Sequence, residues 1–344
     1  MRVLVTGGAG FIGSNFVRML LSNHPEVEVV VLDALTYAGV FENIRPLLSE
    51  PRLTFLRGDV RDRRAVSEAM KGCKAVVHLA AETHVDKSIL NPDAFVLTDV
   101  YGTLVVLDEA RKAKVRRFVH ISTDEVYGEA LREEGSVETD PLYPRSPYAA
   151  SKAGADRLAF SFFETYGLPV VILRGSNAYG PRQYPEKAIP YFITNALMGK
   201  KIPIYGTGEN EREWTFVEDF CRGIELLLFA EEGKVEGQVF NMGSGERVKV
   251  RDVARAIICE LGLSEDLIEF VGDRPAHVKR HALNSTKIRR ELGFEPKVKL
   301  EEGIRRTVRW YRENEWWWRP IRESKEFREY EERWYGSLRA KKAR

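Results

Sequence analysis

Two carboxylates stand side by side in the segment Ser122-Thr123-Asp124-Glu125-Val126-Tyr127-Gly128, and Tyr148 and Lys152 follow a short way along the chain. Tyr148 and Lys152 are four apart, so on a helix they share one face. Pro147, just before them, suits a first helical turn. An ammonium beside a phenol lowers the phenol's pKa, which lets Tyr148 act as a base towards a sugar hydroxyl. Thr123 closes a strand and can hold the same oxygen. Alone, the pair moves a hydride on and off a carbon that bears a hydroxyl. An acid and a base at the same site allow water to be removed between two hydride steps. Neighbouring residues on a regular strand point to opposite faces. Asp124 and Glu125 can therefore serve one site only if the strand has ended and the chain bends there.

The hydride needs a carrier. The strand pattern Val3–Thr6 runs into Gly7-Gly8-Ala9-Gly10-Phe11-Ile12-Gly13, and a helical pattern opens at Ser14. Glycines at Gly7, Gly10 and Gly13 allow a tight turn and let backbone N–H groups approach a pyrophosphate at a helix N-terminus. Asp33 closes the second strand pattern. A carboxylate there accepts hydrogen bonds from ribose hydroxyls and repels a 2′-phosphate, which favours NAD over NADP. Asp59 and Val60 after the third strand suit the adenine ring, and Leu79, Ala80 and Ala81 after the fourth leave room for the cofactor's backbone.

These residues need a scaffold. Apolar, β-branched runs at 27–32, 54–56, 75–79, 117–121 and 169–173 alternate with helical patterns, which predicts a parallel sheet covered on both faces. The expected fold is α/β: a Rossmann-type doubly wound parallel sheet with a smaller, mostly C-terminal α/β substrate-binding lobe. Residues 1–176 form the NAD-binding domain, with returning segments near 213–241. Residues 177–212 and 242–320 form the lobe, and 321–344 an aromatic, charged tail that caps it. A length of 344 residues suits this division.

Composition narrows the class further. A net charge of +2 gives no global field for nucleic acid or an anionic membrane. No apolar run reaches the length of a membrane span, and no signal peptide precedes the first strand. Cys73, Cys221 and Cys259 lie far apart and read as reduced core residues of a cytoplasmic protein. The histidines show no metal spacing, so no metal is expected. His78 and His120 fall inside strands and read as satisfied core groups.

Longer stretches carry a resemblance. They include Leu35-Thr-Tyr-Ala-Gly39, Ala80-Ala-Glu-Thr-His-Val-Asp-Lys-Ser-Ile89, Ser176-Asn-Ala-Tyr-Gly-Pro181 and Pro185-Glu-Lys-Ala-Ile-Pro190, together with the motifs above. On these the chain resembles the extended short-chain dehydrogenase/reductase superfamily and, within it, the dTDP-glucose 4,6-dehydratase family. Related 4-epimerases share the Tyr and Lys and usually lack the acid pair. They are the alternative, as is a 4,6-dehydratase acting on UDP-glucose.

The resemblance implies that Tyr148 takes the 4-hydroxyl proton, Glu125 removes the C5 proton and Asp124 protonates the departing 6-hydroxyl. Lys152 would lower the Tyr148 pKa and hold the nicotinamide ribose. NAD would be held by Gly7, Gly10, Phe11, Ile12, Gly13, Asp33, Ala34, Leu35, Thr36, Asp59, Val60, Leu79, Ala80, Ala81, Thr98, Tyr148 and Lys152. Arg212 and Arg274 match positions that hold the diphosphate, where a planar guanidinium suits phosphate. Asn177, Lys187, Ala188, Pro203 and Tyr205 match positions along the nucleotide. Thr83 and His84 match positions near the sugar, His277 would touch phosphate, and Asn241 completes the substrate set. A homodimer is implied through helices near 100–113 and 148–165, where Leu104, Leu107, Leu158 and Phe162 could form a helix–helix contact or equally pack on the sheet. The chain departs from the family pattern at Ala34, Ala178, Ala276 and 278–281, near the nucleotide.

Overall fold

The computed structural model describes residues 1–342. Among the described residues there are twelve strands: β1 (Arg2–Thr6), β2 (Glu28–Asp33), β3 (Leu53–Arg57), β4 (Ala75–His78), β5 (Arg117–Thr123), β6 (Val170–Gly175), β7 (Asn177–Tyr179), β8 (Ile202–Tyr205), β9 (Glu211–Phe216), β10 (Val239–Met242), β11 (Arg247–Lys249) and β12 (Ile268–Val271). Seven of them form one sheet in the order β10-β6-β5-β4-β1-β2-β3, and every neighbouring pair in it is parallel. The order in which strands are added to the sheet reverses between β1 and β4. In such sheets the crevice for a ligand opens beyond the carboxyl ends of the strands at that point.

Burial on both faces explains the near-continuous apolar strands. In β1, Val3 and Val5 pack with Phe16, Leu20, Phe220 and Ile224 from helices Phe11–Asn23 and Val217–Leu228. Leu4 points the other way, into Val66, Met70, Val106 and Phe162. The first helix starts at Phe11 rather than at Ser14, directly after Gly10.

The lobe contains the sheets β11-β9-β7 and β12-β8. Its core gathers Tyr179, Phe216, Ile257, Trp317, Trp318 and Trp334. Two boundaries shift. The return to the main sheet starts at Val217, because β9 pairs within the lobe. The tail is lobe: helix Lys325–Lys342 buries Phe327, Trp334, Tyr335 and Leu338. Residues 343–344 of that expected tail lie outside the described residues. Cys73 and Cys221 are buried, whereas Cys259 is exposed and not a core residue.

Candidate active site

β5 ends at Thr123, and the chain turns at once into the 3₁₀ segment Asp124–Tyr127. The Thr123 hydroxyl caps that turn by accepting the Glu125 N–H at 3.3 Å. The bend removes the strand alternation and sorts the two carboxylates. Glu125 lines the central cavity. Asp124 lies behind the lining at 2% exposure. One of its oxygens accepts from the Thr123 hydroxyl at 3.1 Å, and the other has no protein partner. Burial, and then the neighbouring Glu125 carboxylate, push the Asp124 carboxyl up to about 8. It therefore carries a proton at neutral pH.

Helix Pro147–Tyr166 presents the other pair. Ser146 caps it, accepting the Ala149 N–H at 3.1 Å, and places Tyr148 and Lys152 on the face that meets the turn. Both line the cavity. The Lys152 ammonium donates to the Ile121 carbonyl at 2.7 Å. Burial lowers its pKa, and Asp99 and Asp156 work against that. The Tyr148 phenol departs from expectation. Burial, then the charges of Glu125 and Asp99, hold its pKa well above the ordinary value, and the nearby Thr123 hydroxyl only partly opposes them. The expected lowering by Lys152 does not dominate.

One cavity of about 560 Å³ joins the glycine-rich turn to the lobe. At the sheet edge Gly7, Gly10, Phe11, Ile12, Gly13, Asp33, Ala34, Thr36, Asp59, Val60, Leu79, Ala80, Ala81 and Thr98 line it. Thr123 also faces it, and Thr83, His84, Asn177, Lys187, Ala188, Pro203, Tyr205, Arg212, Arg274 and His277 line the lobe side. Besides Asp124, two expected residues stand apart from the lining. Leu35, at φ +54°, packs its side chain on the sheet's core. Asn241 is fully buried; it accepts the Tyr127 hydroxyl at 2.7 Å and donates to the Ser136 carbonyl at 2.8 Å, so it braces the framework.

The residues present fit a dinucleotide. A Cβ on Gly7 would lie 2.8 Å from the Ala80 nitrogen, and one on Gly13 2.2 Å from the Gly7 carbonyl oxygen, so a side chain at either position would break the cradle. The Asp33 carboxylate is aimed by the Ala9 and Leu35 N–H groups at 2.9 and 2.8 Å. The Ser122 hydroxyl and the Asn177 amide nitrogen are buried at the cavity wall without a protein partner. Such groups call for a polar ligand.

The lobe side fits an anion. Arg212 donates to the Glu211 and Val278 carbonyls at 2.8 and 2.9 Å. Arg274 donates to Asp86 at 3.2 Å and keeps its Nε unpartnered. Burial, and then the charge of Arg274, lower the Arg212 pKa to about 10. Two guanidiniums held together against that repulsion suit a diphosphate between them. Burial and the same two cations push His277 down to about 3. His84 is also pushed to about 3 by burial, so both rings are neutral.

Sequence reasoning missed Ser122, Asp86, Glu186 and Tyr335, all at or beside the cavity. Asp86 lies inside the Ala80–Ile89 motif, which signalled it. Nothing local signalled Tyr335. Within the sheet, His78 meets Thr6 and Thr103 hydroxyls at 2.7 and 2.9 Å. His120 has no side-chain partner on either nitrogen, contrary to expectation. No helix among the described residues is long and apolar enough to cross a membrane.

A family model described as GDP-mannose 4,6 dehydratase matches residues 4–307. The chain is 46% identical to a dTDP-glucose 4,6-dehydratase of Streptomyces niveus, over 94% of this chain and 96% of that one. It is 49% identical to a low-salt glycan biosynthesis protein of Haloferax volcanii, over 90% and 98%. The dTDP-glucose 4,6-dehydratase DesIV of Streptomyces venezuelae, solved with NAD bound, superposes with a TM-score of 0.90 at 48% identity, covering 93% of this chain and all of that one. A UDP-glucose 4-epimerase of Thermotoga maritima gives 0.84 at 32% identity, covering 91% and 99%.

Proposed function

The chain belongs to the GDP-mannose 4,6 dehydratase family, and from that premise we propose that it converts a nucleotide-linked glucose, dTDP-glucose foremost, to the 4-keto-6-deoxy sugar. The observation that carries this reading is the sorted acid pair: a buried, protonated Asp124 and a cavity-facing Glu125 on one turn, opposite Tyr148 and Lys152.

Each residue has a task. Tyr148, with the Thr123 hydroxyl on the same oxygen, accepts the proton from the sugar 4-hydroxyl. The ketone formed at C4 acidifies the C5–H, and Glu125 removes that proton. Asp124 gives its proton to the departing 6-hydroxyl, so water leaves with the C5–C6 double bond formed. Glu125 then returns its proton to C5. NAD, when bound, would supply the hydride acceptor for C4, the hydride donor for C6 and, when oxidised, a positive charge that favours the ionised phenol. Asp33, the Gly7–Gly13 turn and Lys152 hold it in place. Arg212 and Arg274 hold the diphosphate.

The test is an NMR-followed incubation with dTDP-glucose and, separately, UDP-glucose, without added reductant. A new C6 methyl signal is expected, faster with dTDP-glucose. A galactose-configured product without a methyl would overturn the reading in favour of an epimerase. In a Glu125→Gln variant NAD should still bind and elimination should be lost.

The enzyme also reads as a homodimer, with the four candidate positions taking the other option open to them and packing within the chain. Leu107 and Phe162 are buried within the chain's own core, and Leu104 and Leu158 pack against it. The helical segment Val96–Gly102 instead exposes Val96 (54%), Leu97 (48%) and Tyr101 (42%), an apolar stripe suited to a second copy. Light scattering on the wild type should give twice the chain mass, and a Val96→Glu/Leu97→Glu variant should give the monomer. We place the reaction in the cytoplasm, where three unpaired cysteines stay reduced; cell fractionation checks it.

A further inference from the structure

The acid pair and the Tyr148/Lys152 pair sit on different elements, the turn Asp124–Tyr127 and the helix Pro147–Tyr166. The proposed chemistry needs the two in register. Where turn and helix meet, the packing is apolar: Val126 and Tyr127 cluster with Ala153. Such packing has no direction, so it does not by itself set the angle between them.

A buried polar chain supplies the direction. Arg174 stands on β6 beside Ser122 of β5, one residue before Thr123. It is 2% exposed. Its Nε and one terminal nitrogen donate to the two Asp156 oxygens, both at 2.9 Å. Its other terminal nitrogen donates to the Tyr127 hydroxyl at 2.6 Å and to the Glu138 carbonyl at 3.2 Å. Asp156 lies one turn beyond Lys152 on the helix, and Tyr127 closes the acid turn. The bidentate grip on Asp156 fixes the plane of the guanidinium, and with it the direction in which Tyr127 is held. Tyr127 has one proton to give, and it goes to Asn241 Oδ1 at 2.7 Å.

The chain keeps one protonation state across the working range. Burial disfavours the Asp156 charge, yet the Arg174 guanidinium overrides it and holds the carboxyl at about 2. Burial pushes the Tyr127 phenol up to about 12. The arrangement is therefore a fixed brace. None of Tyr127, Asp156 and Arg174 lines the cavity, so any effect on the reaction passes through the groups they hold.

We propose that Arg174, Asp156 and Tyr127 are positioning residues for water elimination, holding the acid turn at a set angle to the helix that carries Tyr148 and Lys152. The inference rests on the dehydratase reading above. Oxidation at C4 uses Tyr148, Thr123 and Lys152, which the helix and the strand end place. Elimination needs Asp124 and Glu125 as well. Loosening the turn slows the second step more than the first, and a displacement of about 1 Å can cost about 10²-fold in rate.

The test uses the NAD-loaded enzyme and the variants Tyr127→Phe and Arg174→Lys. The first keeps the ring and deletes the link; the second keeps the charge and loses the fork. Reaction with dTDP-glucose is followed by the near-ultraviolet absorbance of reduced nicotinamide and by the C6 methyl signal in NMR. Tyr127→Phe should lower kcat for the methyl product by about tenfold or more, with KM and NAD affinity within about twofold of wild type. Reduced nicotinamide should build up in it, because oxidation outruns elimination. Arg174→Lys should act in the same direction, and the double variant should cost less than the product of the single effects. Where Arg174→Lys does not fold, Tyr127→Phe decides alone. A merely structural brace would lower Tm and leave the kcat of the folded fraction and its level of reduced nicotinamide as in wild type, which overturns the proposal. Equal slowing of oxidation and elimination overturns it too. If the wild type yields no methyl product from any nucleotide-linked glucose, the dehydratase reading falls first and the inference with it.

Discussion

Asp124→Asn separates the two halves of the proposed reaction. The wild-type carboxyl, held at about 8 by burial and by Glu125, is about nine-tenths protonated at pH 7 and about one-tenth at pH 9. Its raised pKa means the acid is present below about 8 and lost as pH rises through it. Water elimination should therefore fall towards about tenfold per pH unit on the alkaline side. Asparagine keeps the volume and can accept from the Thr123 hydroxyl, but it has no proton to give. Elimination should drop by about 10²–10⁴-fold. Oxidation at C4 needs only Tyr148, Thr123 and Lys152, so it should survive. Mixed rapidly with dTDP-glucose, the variant should accumulate reduced nicotinamide, seen by its near-ultraviolet absorbance, without a methyl product by NMR. The alkaline limb near 8 should vanish from whatever activity remains. Wild-type elimination in Asp124→Asn, or an unchanged alkaline limb, would refute the assignment of Asp124 as the acid.

Further expectations concern the cofactor, the anion and the scaffold. Asp33→Ala leaves the Ala9 and Leu35 N–H groups without their acceptor, so it should destabilise the protein by about 1–3 kcal/mol in thermal unfolding, and weaken NAD more than NADP in equilibrium titration. Arg274→Lys keeps the charge and loses the planar fork, and should raise the thymidine diphosphate Kd by about tenfold, close to 1.4 kcal/mol. Arg322 is buried and bonded to Thr194, Asn195 and Glu331 at 2.5, 2.8 and 2.5 Å. Arg322→Ala takes from Glu331 its nearest cation, leaving the Tyr191 hydroxyl and the more distant Lys200, and should cost about 3 kcal/mol in urea unfolding, while the surviving folded fraction keeps its kcat.

Local pattern carried the main sheet, because strands buried on both faces leave unbroken apolar runs and the glycine-rich turn sits between a strand and a helix. It also carried the cavity's chemistry, since Tyr148 and Lys152 are related by helical spacing alone. What it missed depends on distant packing. The unequal burial of Asp124 and Glu125 arises from a 3₁₀ turn against the lobe. Asn241 reads as a polar strand end, yet Tyr127 and Ser136 from another segment satisfy it. The high Tyr148 pKa reflects burial first and then the charges of Glu125 and Asp99, all of which only the tertiary fold supplies. Leu107 and Phe162 have the spacing of an interface and of a core at once, and packing decided for the core.

The turn at Asp124–Tyr127 has a mechanical consequence. Asp124 and Glu125 are joined by one peptide bond, so their Cα atoms stay about 3.8 Å apart whatever the rest of the molecule does. The cavity, by contrast, is lined from both the main sheet and the lobe, so its width depends on how those two bodies sit against each other. The backbone spacing of acid and base is set by covalent structure, and the grip on the substrate by packing between lobe and sheet.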